Sequence, residues 1–530
     1  RGFGGGGGRG GRGGGGGRGA PSAVKKRPRQ FDAEQLASIA ALQALADSGA
    51  MPKCTLATGK ANLFLDGNPI VYGGAIEKTS MTPVTGDPVI VVDHAGKVVS
   101  WGVYNSDSMY RVRVLQMAWE VSADGGAVLC DVAGVIAARV AAAAALRADL
   151  GLATAGADTN VYRLLNSEGD RISGVCVDVY GGGDAVVAVA SVSAAWADMH
   201  RTDIVKALGA HAGVDKVVWR IDDKMLNLEL GGRDRKTGAE GAGEEVVGEE
   251  EEEEVGEGED EEDEEVMGED EGEGEGEDGD NSGSGGAKES WRPPVQCFDT
   301  ATGEQCDVPS GWTHVTEGGV KYAVDLELGH KTGFYVDQRD NRAYIRQLAA
   351  GKSKVMDVCT YTGGFAINCA LGGAAQVTGV DSSGPALEIA VKNAELNGVS
   401  DKVTFVQAEA FKHMDACLEA GEAGTYDLII LDPPKFAPKV GDLPRAIPKY
   451  VGMNQRAMKL LRPGGLLVTC SCSGAVTQQG LLPDIVVSAA ASAGRRITML
   501  GAPRGAGADQ PLEPTYPEGN YLTVVTYRVA

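Results

Sequence analysis

The spacing of apolar positions changes several times along the chain. Over residues 31 to 47, Leu36, Ile39, Leu42 and Leu45 recur at helical spacing and predict one amphipathic helix. From residue 54 to 114 the period drops to two. Short runs such as PVIVVD and KVVSWGVY are separated by turn signals at Asp66-Gly67-Asn68, Thr85-Gly86-Asp87 and Ala95-Gly96, which predicts a small β-rich module. An alanine-rich helix is expected over residues 132 to 150, then two paired strands in RISGVCVDVY and AVVAVASVS, then a helix over 194 to 208. After Trp291 strands alternate with helices, the pattern of a mainly parallel sheet in an α/β layer fold.

Composition divides this map into domains. A chain of 530 residues is long enough for two or three cores, and 77 glycines point to disordered segments among them. Residues 1 to 30 hold glycine runs with Arg1, Arg9, Arg12, Arg18, Lys25, Lys26, Arg27 and Arg29 and no acid, a composition that cannot fold alone and suits weak RNA binding. The net charge of -25 is misleading, because 25 of the 74 acids lie between Glu240 and Asp280, leaving 49 acids against 49 bases elsewhere. The expected division is a disordered arginine-glycine tail and short helix (1–50), a β-rich module (51–118), an α+β middle domain (119–232), a disordered acidic insertion (233–290) and an α/β domain (291–530). The ten cysteines show no metal-ligand double pair, so reduced thiols and no metal are expected. No run reaches 18 apolar residues, so no membrane partner is expected either. Because the chain begins with Arg1, its true N-terminus is expected to lie upstream.

The candidate chemistry sits at strand ends of the last domain. KVMDVCTYTGGFAINCALGG, residues 354 to 373, reads as a strand ending near Asp357, a turn with Gly363 and Gly364, and a helix. In a doubly wound sheet the ligand sits at that end, where glycines let the backbone approach it. AQVTGVDSS places Asp381 at the next strand end, 24 residues after Asp357, where a carboxylate can hold both hydroxyls of a ribose. VTFVQAEAF ends near Glu409, suited to an adenine rim, and YDLIILDPPKF ends in Asp432-Pro433-Pro434-Lys435-Phe436. Two prolines fix a turn that can hold a carboxylate and an aromatic ring against a planar base. Any one of these acids could be a helix cap, but four in order are hard to dismiss and point to a nucleotide-like cofactor. GGLLVTCSCS brings Cys470 and Cys472 to the same sheet edge, and alternation points them to the same side.

These residues resemble the bacterial 23S ribosomal RNA large-subunit methyltransferase I family, which makes 5-methylcytosine. The resemblance extends to NPIVYGGAI, TGDPVIVVD and WGVYNSDSMYRVRVL, similar to that family's PUA domain, to TNVYRLLNSEGDRISGVCVDVY in its middle domain, and to GHKTGFYVDQRDNR, which leads into the cofactor domain. It implies a Rossmann-like class I methyltransferase domain preceded by a small β-barrel PUA-like domain and an α+β middle domain. It further implies S-adenosylmethionine as cofactor, with Asp381 holding its ribose, Glu409 the adenine edge, and the turn through Asp357, Tyr361, Gly363 and Gly364 the methionine portion, with Asp432 beside it. Gln338, Arg339, Pro433, Pro434 and Phe436 fall on the substrate side. Two positions depart from the common pattern: Tyr361 stands where many methyltransferases have their first glycine, and Glu409 where Asp is usual.

Carbon 5 of cytosine is a poor nucleophile, so a thiolate adding to carbon 6 is needed to activate it. Aligning LLVTCSCS with two-cysteine RNA cytosine methyltransferases puts their Thr-Cys-Ser nucleophile on Ser471-Cys472-Ser473, with Cys470 as the alternative. Lys435 or Arg339 is the expected cation favouring the thiolate, and Asp432 the group acting at ring nitrogen 3. Purine N-methylation on the same fold, and an inactive RNA-binding or ribosome-assembly protein, are the alternative readings. Ribosomal RNA is the expected partner, and a homodimer is left open. The bacterial type of body suggests an organelle with bacterial-type ribosomes, chloroplast or mitochondrion, ahead of nucleolus or cytoplasm.

Overall fold

Asp32 starts the first helix, Ala33–Ser48, by a reciprocal capping box: its carboxylate accepts from Gln35 N at 2.8 Å and the Gln35 side chain accepts from Asp32 N at 3.1 Å. The computed structural model of the chain describes residues 29–121, 130–152, 158–182, 185–222, 229, 295–309, 312–326 and 332–530. The arginine-glycine tail up to residue 28 and the whole acidic insertion, residues 233–290, lie outside these, as do Gly329, His330 and Lys331 of the segment leading into the last domain.

The β-rich module is a six-stranded sheet of Ile70–Val71, Val112–Met117, Val98–Tyr104, Pro88–Val92, Lys53–Leu56 and Ile76–Thr79, in that spatial order. Its pairs are antiparallel except Lys53–Leu56 against Pro88–Val92. Register shifts at Thr55/Leu56, Val91/Val92 and Trp101/Gly102 mark bulges that bend the strands. At the last of these only glycine fits, since a Cβ on Gly102 would lie 2.1 Å from the Arg113 carbonyl oxygen.

The middle domain has helix Val132–Asp149 and the two expected paired strands, Val175–Tyr180 and Val187–Val192, within a second six-stranded sheet. That sheet corrects the expected boundary at residue 291. Strands Gln296–Asp299 and Gln305–Cys306, placed in the last domain by the sequence pattern, pair into the middle sheet, with Trp219 opposite Gln296 in an antiparallel register. The acidic insertion therefore leaves and re-enters between neighbouring strands of one sheet. It interrupts the middle domain rather than separating it from the next. Glu229, which precedes the insertion, is buried and accepts from Arg113 Nη2 at 2.6 Å and Ala195 N at 3.2 Å, linking the first two domains.

The last domain is built on seven strands: β1 (Lys354–Val358), β2 (Gln376–Asp381), β3 (Val403–Gln407), β4 (Tyr426–Leu431), β5 (Leu461–Ser471), β6 (Ile497–Met499) and β7 (Thr523–Val529). Their spatial order is β3-β2-β1-β4-β5-β7-β6, parallel through β5, with β7 antiparallel to β5 and β6 to β7. β4 is buried along its whole length, as a parallel strand covered on both faces should be. Helices α1 (Arg339–Leu348), α2 (Gly364–Leu371), α3 (Gly384–Leu396), α4 (Ala410–Glu419) and α5 (Leu443–Leu460) cover the faces. The order reverses between β1 and β4, and at such a switch point the loops at the carboxyl ends diverge and leave a crevice. One apolar cluster runs from Val161, Tyr180 and Val218 of the middle sheet through Tyr322 and Phe334 to Val355, Leu428 and Cys470, so the two domains share a core.

Candidate active site

A cavity of about 380 Å3 opens at the switch point. Its wall includes Asp381, Glu409, Asp432, Pro433, Pro434, Phe436, Cys472, Tyr361, Gly364 and Gln338, which the sequence reading had named. Among the described residues of that wall, Asp357, Gly363, Arg339 and Cys470 are absent.

Asp357 lies behind the wall. It is fully buried, and its Oδ2 accepts from Thr360 Oγ1 at 2.5 Å and from Ala366 N at 2.9 Å, tying the turn to the first turn of α2. Burial pushes its carboxyl up to about 7, against the pull of those two donors. Gly363 caps α2 with φ +83, and a Cβ there would meet Phe405 at 3.0 Å. The same turn holds two non-glycine residues in the left-handed region, Cys359 (φ 64) and Tyr361 (φ 51). Tyr361 thus fills a conformation that glycine adopts without strain. Its ring meets Tyr335 edge-on, 5.1 Å between centroids.

Asp381 is held by backbone donors from both sides: Tyr361 N reaches Oδ2 at 2.8 Å and Ser383 N reaches Oδ1 at 2.9 Å. An ionised carboxylate has about four acceptor positions, so two remain for hydroxyls. Glu409 is the N-cap of α4, accepting from Phe411 N at 3.1 Å and Lys412 N at 2.8 Å, while still lining the cavity. Capping and lining are compatible, because the helix N-terminus faces the crevice.

At the chemical end, Gln338 Nε2 donates to Asp432 Oδ2 at 3.0 Å. Cys472 Sγ lies 3.9 Å from the Pro433 carbonyl oxygen, so the thiol sits against the Asp-Pro-Pro turn. Cys470 and Cys472 pack against the same apolar cluster, as alternation requires, but only Cys472 reaches the cavity wall. Burial pushes the Cys470 thiol well up. Phe436 is braced edge-on by Tyr450, 4.9 Å between centroids, and Lys449 Nζ lies 5.8 Å from the Phe436 ring. Lys435 is exposed.

The expectation for Arg339 is corrected. Its guanidinium grips Asp509, with Nη1 to Oδ2 at 2.7 Å and Nη2 to Oδ1 at 2.8 Å, and so faces away from the cavity. The cavity also has walls that sequence reasoning missed: Tyr335, Asp337, Thr360, Phe411, Met453 and Leu522. Asp337 accepts from Tyr521 OH at 2.7 Å, a contact between positions far apart in sequence that no local pattern signals. Next to the cavity, Arg342 forms a buried two-pronged pair with Glu317, both bonds 2.7 Å. Among the described residues no group of three or more His, Cys, Asp or Glu could hold a metal, and no helix is long and apolar enough to cross a membrane.

The family model of S-adenosylmethionine-dependent methyltransferases matches residues 288–499, and that of PUA-like domains matches residues 55–117. Ribosomal RNA large subunit methyltransferase I of Klebsiella pneumoniae (strain 342) is 31% identical over 479 residues, 90% of this chain and 98% of that protein. The chain belongs to the ribosomal RNA large-subunit methyltransferase I family. The Escherichia coli O9:H4 (strain HS) member is 31% identical over 478 residues, and the Serratia proteamaculans (strain 568) member reaches 43% over 224 residues, 55% of its length. A solved Streptococcus mutans structure described as a SAM-dependent methyltransferase superimposes with TM-score 0.63 at 16% identity, covering 90% of this chain and 99% of that one, and supports the class I fold. S-adenosylmethionine is the cofactor of this family member, and the cavity fits it: two acids with free acceptor positions, the glycine turn and a helix N-terminus share one crevice of suitable size.

The organelle expectation is also corrected. The relatives matching nine tenths of the chain are bacterial, from cells without chloroplasts or mitochondria, so the bacterial type of body reports the family and not a compartment.

Proposed function

We propose that the chain methylates carbon 5 of a cytosine in large-subunit ribosomal RNA through a covalent adduct on Cys472. The observation that carries this reading is the Cys472 thiol at the cavity wall, 3.9 Å from the Pro433 carbonyl oxygen, with Asp432 in the same turn and Cys470 sealed behind. The ribosomal RNA comes from the relatives' activity and agrees with the PUA-like module that precedes the catalytic domain.

Asp381 and Glu409 would hold the ribose and adenine, and the 361–364 turn the methionine portion. When bound, S-adenosylmethionine supplies an electrophilic methyl group on a sulfonium. Cys472, as thiolate, adds to carbon 6 and leaves carbon 5 nucleophilic. Asp432 stabilises the adduct by hydrogen bonding or giving a proton to ring nitrogen 3, while Phe436 stacks on the unstacked base. Once carbon 5 carries the methyl group, loss of its proton reforms the 5,6 double bond and expels the Cys472 thiolate.

Methyl incorporation into large-subunit RNA, with bisulfite mapping of the product, tests this. Cys472→Ala should lose methylation while still binding S-adenosylmethionine, and Cys470→Ala should keep it. Full activity in both the Cys472 and the Cys470 variants would exclude the covalent route and return the choice to purine N-methylation.

A further inference from the structure

We propose that Cys297 and Cys306 form a reversible disulfide when a low-molecular-weight disulfide reaches them, and that the bond pins the edge of the middle sheet. This modification lies outside the methyl-transfer site and does not depend on the reaction of Cys472.

Strand register brings the two thiols together. Strands Gln296–Asp299 and Gln305–Cys306 are antiparallel with Cys297 directly opposite Cys306, and the Cys306 thiol donates to Cys297 Sγ at 3.6 Å. Residues directly opposite in such a pair have Cα atoms about 4.5–5.5 Å apart, inside the range of about 4.4–6.8 Å that a disulfide spans. Rotation of the side chains can therefore close the bond without moving the strands. The turn between them is itself tied down. The Asp299 carbonyl oxygen accepts from Gly303 N at 2.8 Å, and Asp299 Oδ1 accepts from Thr302 N and Thr302 Oγ1, both at 2.9 Å. Thr300 fastens the turn to the chain that follows helix Arg201–Ala212: its hydroxyl donates to the Val214 carbonyl oxygen at 2.6 Å and its N to that of Asp215 at 3.1 Å. On its other side Cys297 pairs opposite Val218 of strand Lys216–Ile221, so the first thiol is held from both sides of the sheet plane.

The order of events follows from access. Cys306 is half-buried, whereas Cys297 is buried and burial pushes its thiol up to about 12. Cys306 therefore takes the first step. Its thiolate attacks one sulfur of the external disulfide, forming a mixed disulfide and expelling one thiolate. Cys297 then loses its proton and attacks Cys306 Sγ, which forms the Cys297–Cys306 bond and expels the second thiolate. Two protein thiols are oxidised, and the external disulfide is reduced to two thiols. Gln305–Cys306 is the outermost strand of its sheet and is held there by two residue pairs. The bond closes a loop with eight residues between the cysteines and restricts the hairpin when it opens.

Glutathione disulfide added to the full chain tests this, followed by alkylation in denaturant and mass analysis of the peptides. Cys297 and Cys306 should escape alkylation together, in one peptide lighter by the two thiol hydrogens, and dithiothreitol should restore both. In Cys297→Ala the reaction should stop at a mixed disulfide between Cys306 and glutathione, and in Cys306→Ala the Cys297 thiol should stay open to alkylation. Amide hydrogen exchange over residues 296–306 should slow by on the order of tenfold on oxidation of the unaltered chain. Should either variant fail to fold, the unaltered chain decides alone. A treated chain in which both cysteines are still alkylated, or in which each carries its own glutathione, would overturn the proposal, and a disulfide that leaves the exchange rate unchanged would overturn the pinning of the edge.

Discussion

Arg339 and Asp509 meet in a two-pronged ion pair across 170 residues of chain, with Asp509 fully buried. Asp509 Oδ2 also accepts from Arg163 N at 3.0 Å, and its carbonyl oxygen accepts from Arg147 Nη2 at 2.6 Å. One aspartate thus locks α1, which carries Gln338 and Asn341 at its start, to the middle domain. Removing one partner of a buried pair strands the other charge, which costs about 3–5 kcal/mol. Asp509→Ala should lower unfolding free energy in urea by that order, and a loss under about 1 kcal/mol would show that the pair is not holding the junction.

Asp357 should make stability fall as pH rises. Its carboxyl titrates near 7 in the folded chain because burial penalises the charge, against about 3.9 when exposed in the unfolded chain. Between those values the folded state holds the proton and the unfolded state does not. The stabilisation is therefore complete below about pH 4 and lost as pH rises through about 7, with a slope of at most about 1.4 kcal/mol per unit. Asp357→Asn cannot titrate. The difference in melting temperature between the unaltered chain and this variant should shrink from pH 5 to about pH 7.5; a constant difference would contradict the shift.

Tyr361 gives a direct test of the turn's backbone requirement. At φ 51 a β-branched residue is strained, whereas glycine is at ease. Tyr361→Val should lower the melting temperature clearly, and Tyr361→Gly should do so less despite losing more of the ring contact with Tyr335. The reverse order would mean that side-chain packing, not backbone conformation, dominates there. Both variants should weaken cofactor binding, because the ring lines the cavity.

Much of the catalytic domain was legible because its information is local. β1 and β4 are buried almost throughout, as central parallel strands require, and acids at Asp381, Glu409 and Asp432 fall where β2, β3 and β4 stop. What escaped depends on distant partners. Strand Gln296–Asp299 finds its neighbour, Lys216–Ile221, across the acidic insertion, so a composition boundary looked like a domain boundary. Arg339 sits in a segment that does lead into the site, but its direction is set by Asp509, which no pattern near Arg339 reveals. Asp357 shares the strand-end position of the other acids, yet its side chain turns to Thr360 and Ala366 and away from the cavity. Tyr335 and Asp337 flank the named Gln338 and were missed because Asp337's partner, Tyr521, comes from just before β7.

The central claim, an adduct between Cys472 and carbon 6 of cytosine, is tested most directly by trapping. RNA carrying 5-fluorocytosine cannot complete the reaction, since fluorine at carbon 5 does not leave as a proton does, and the enzyme stays joined to the base. Incubated with S-adenosylmethionine and such large-subunit RNA, the chain should give a denaturation-resistant protein–RNA species whose linked peptide contains Cys472. That species should be missing in Cys472→Ala and present in Cys470→Ala. A chain that methylates ordinary RNA but yields no such species, or yields it without Cys472, would contradict the account.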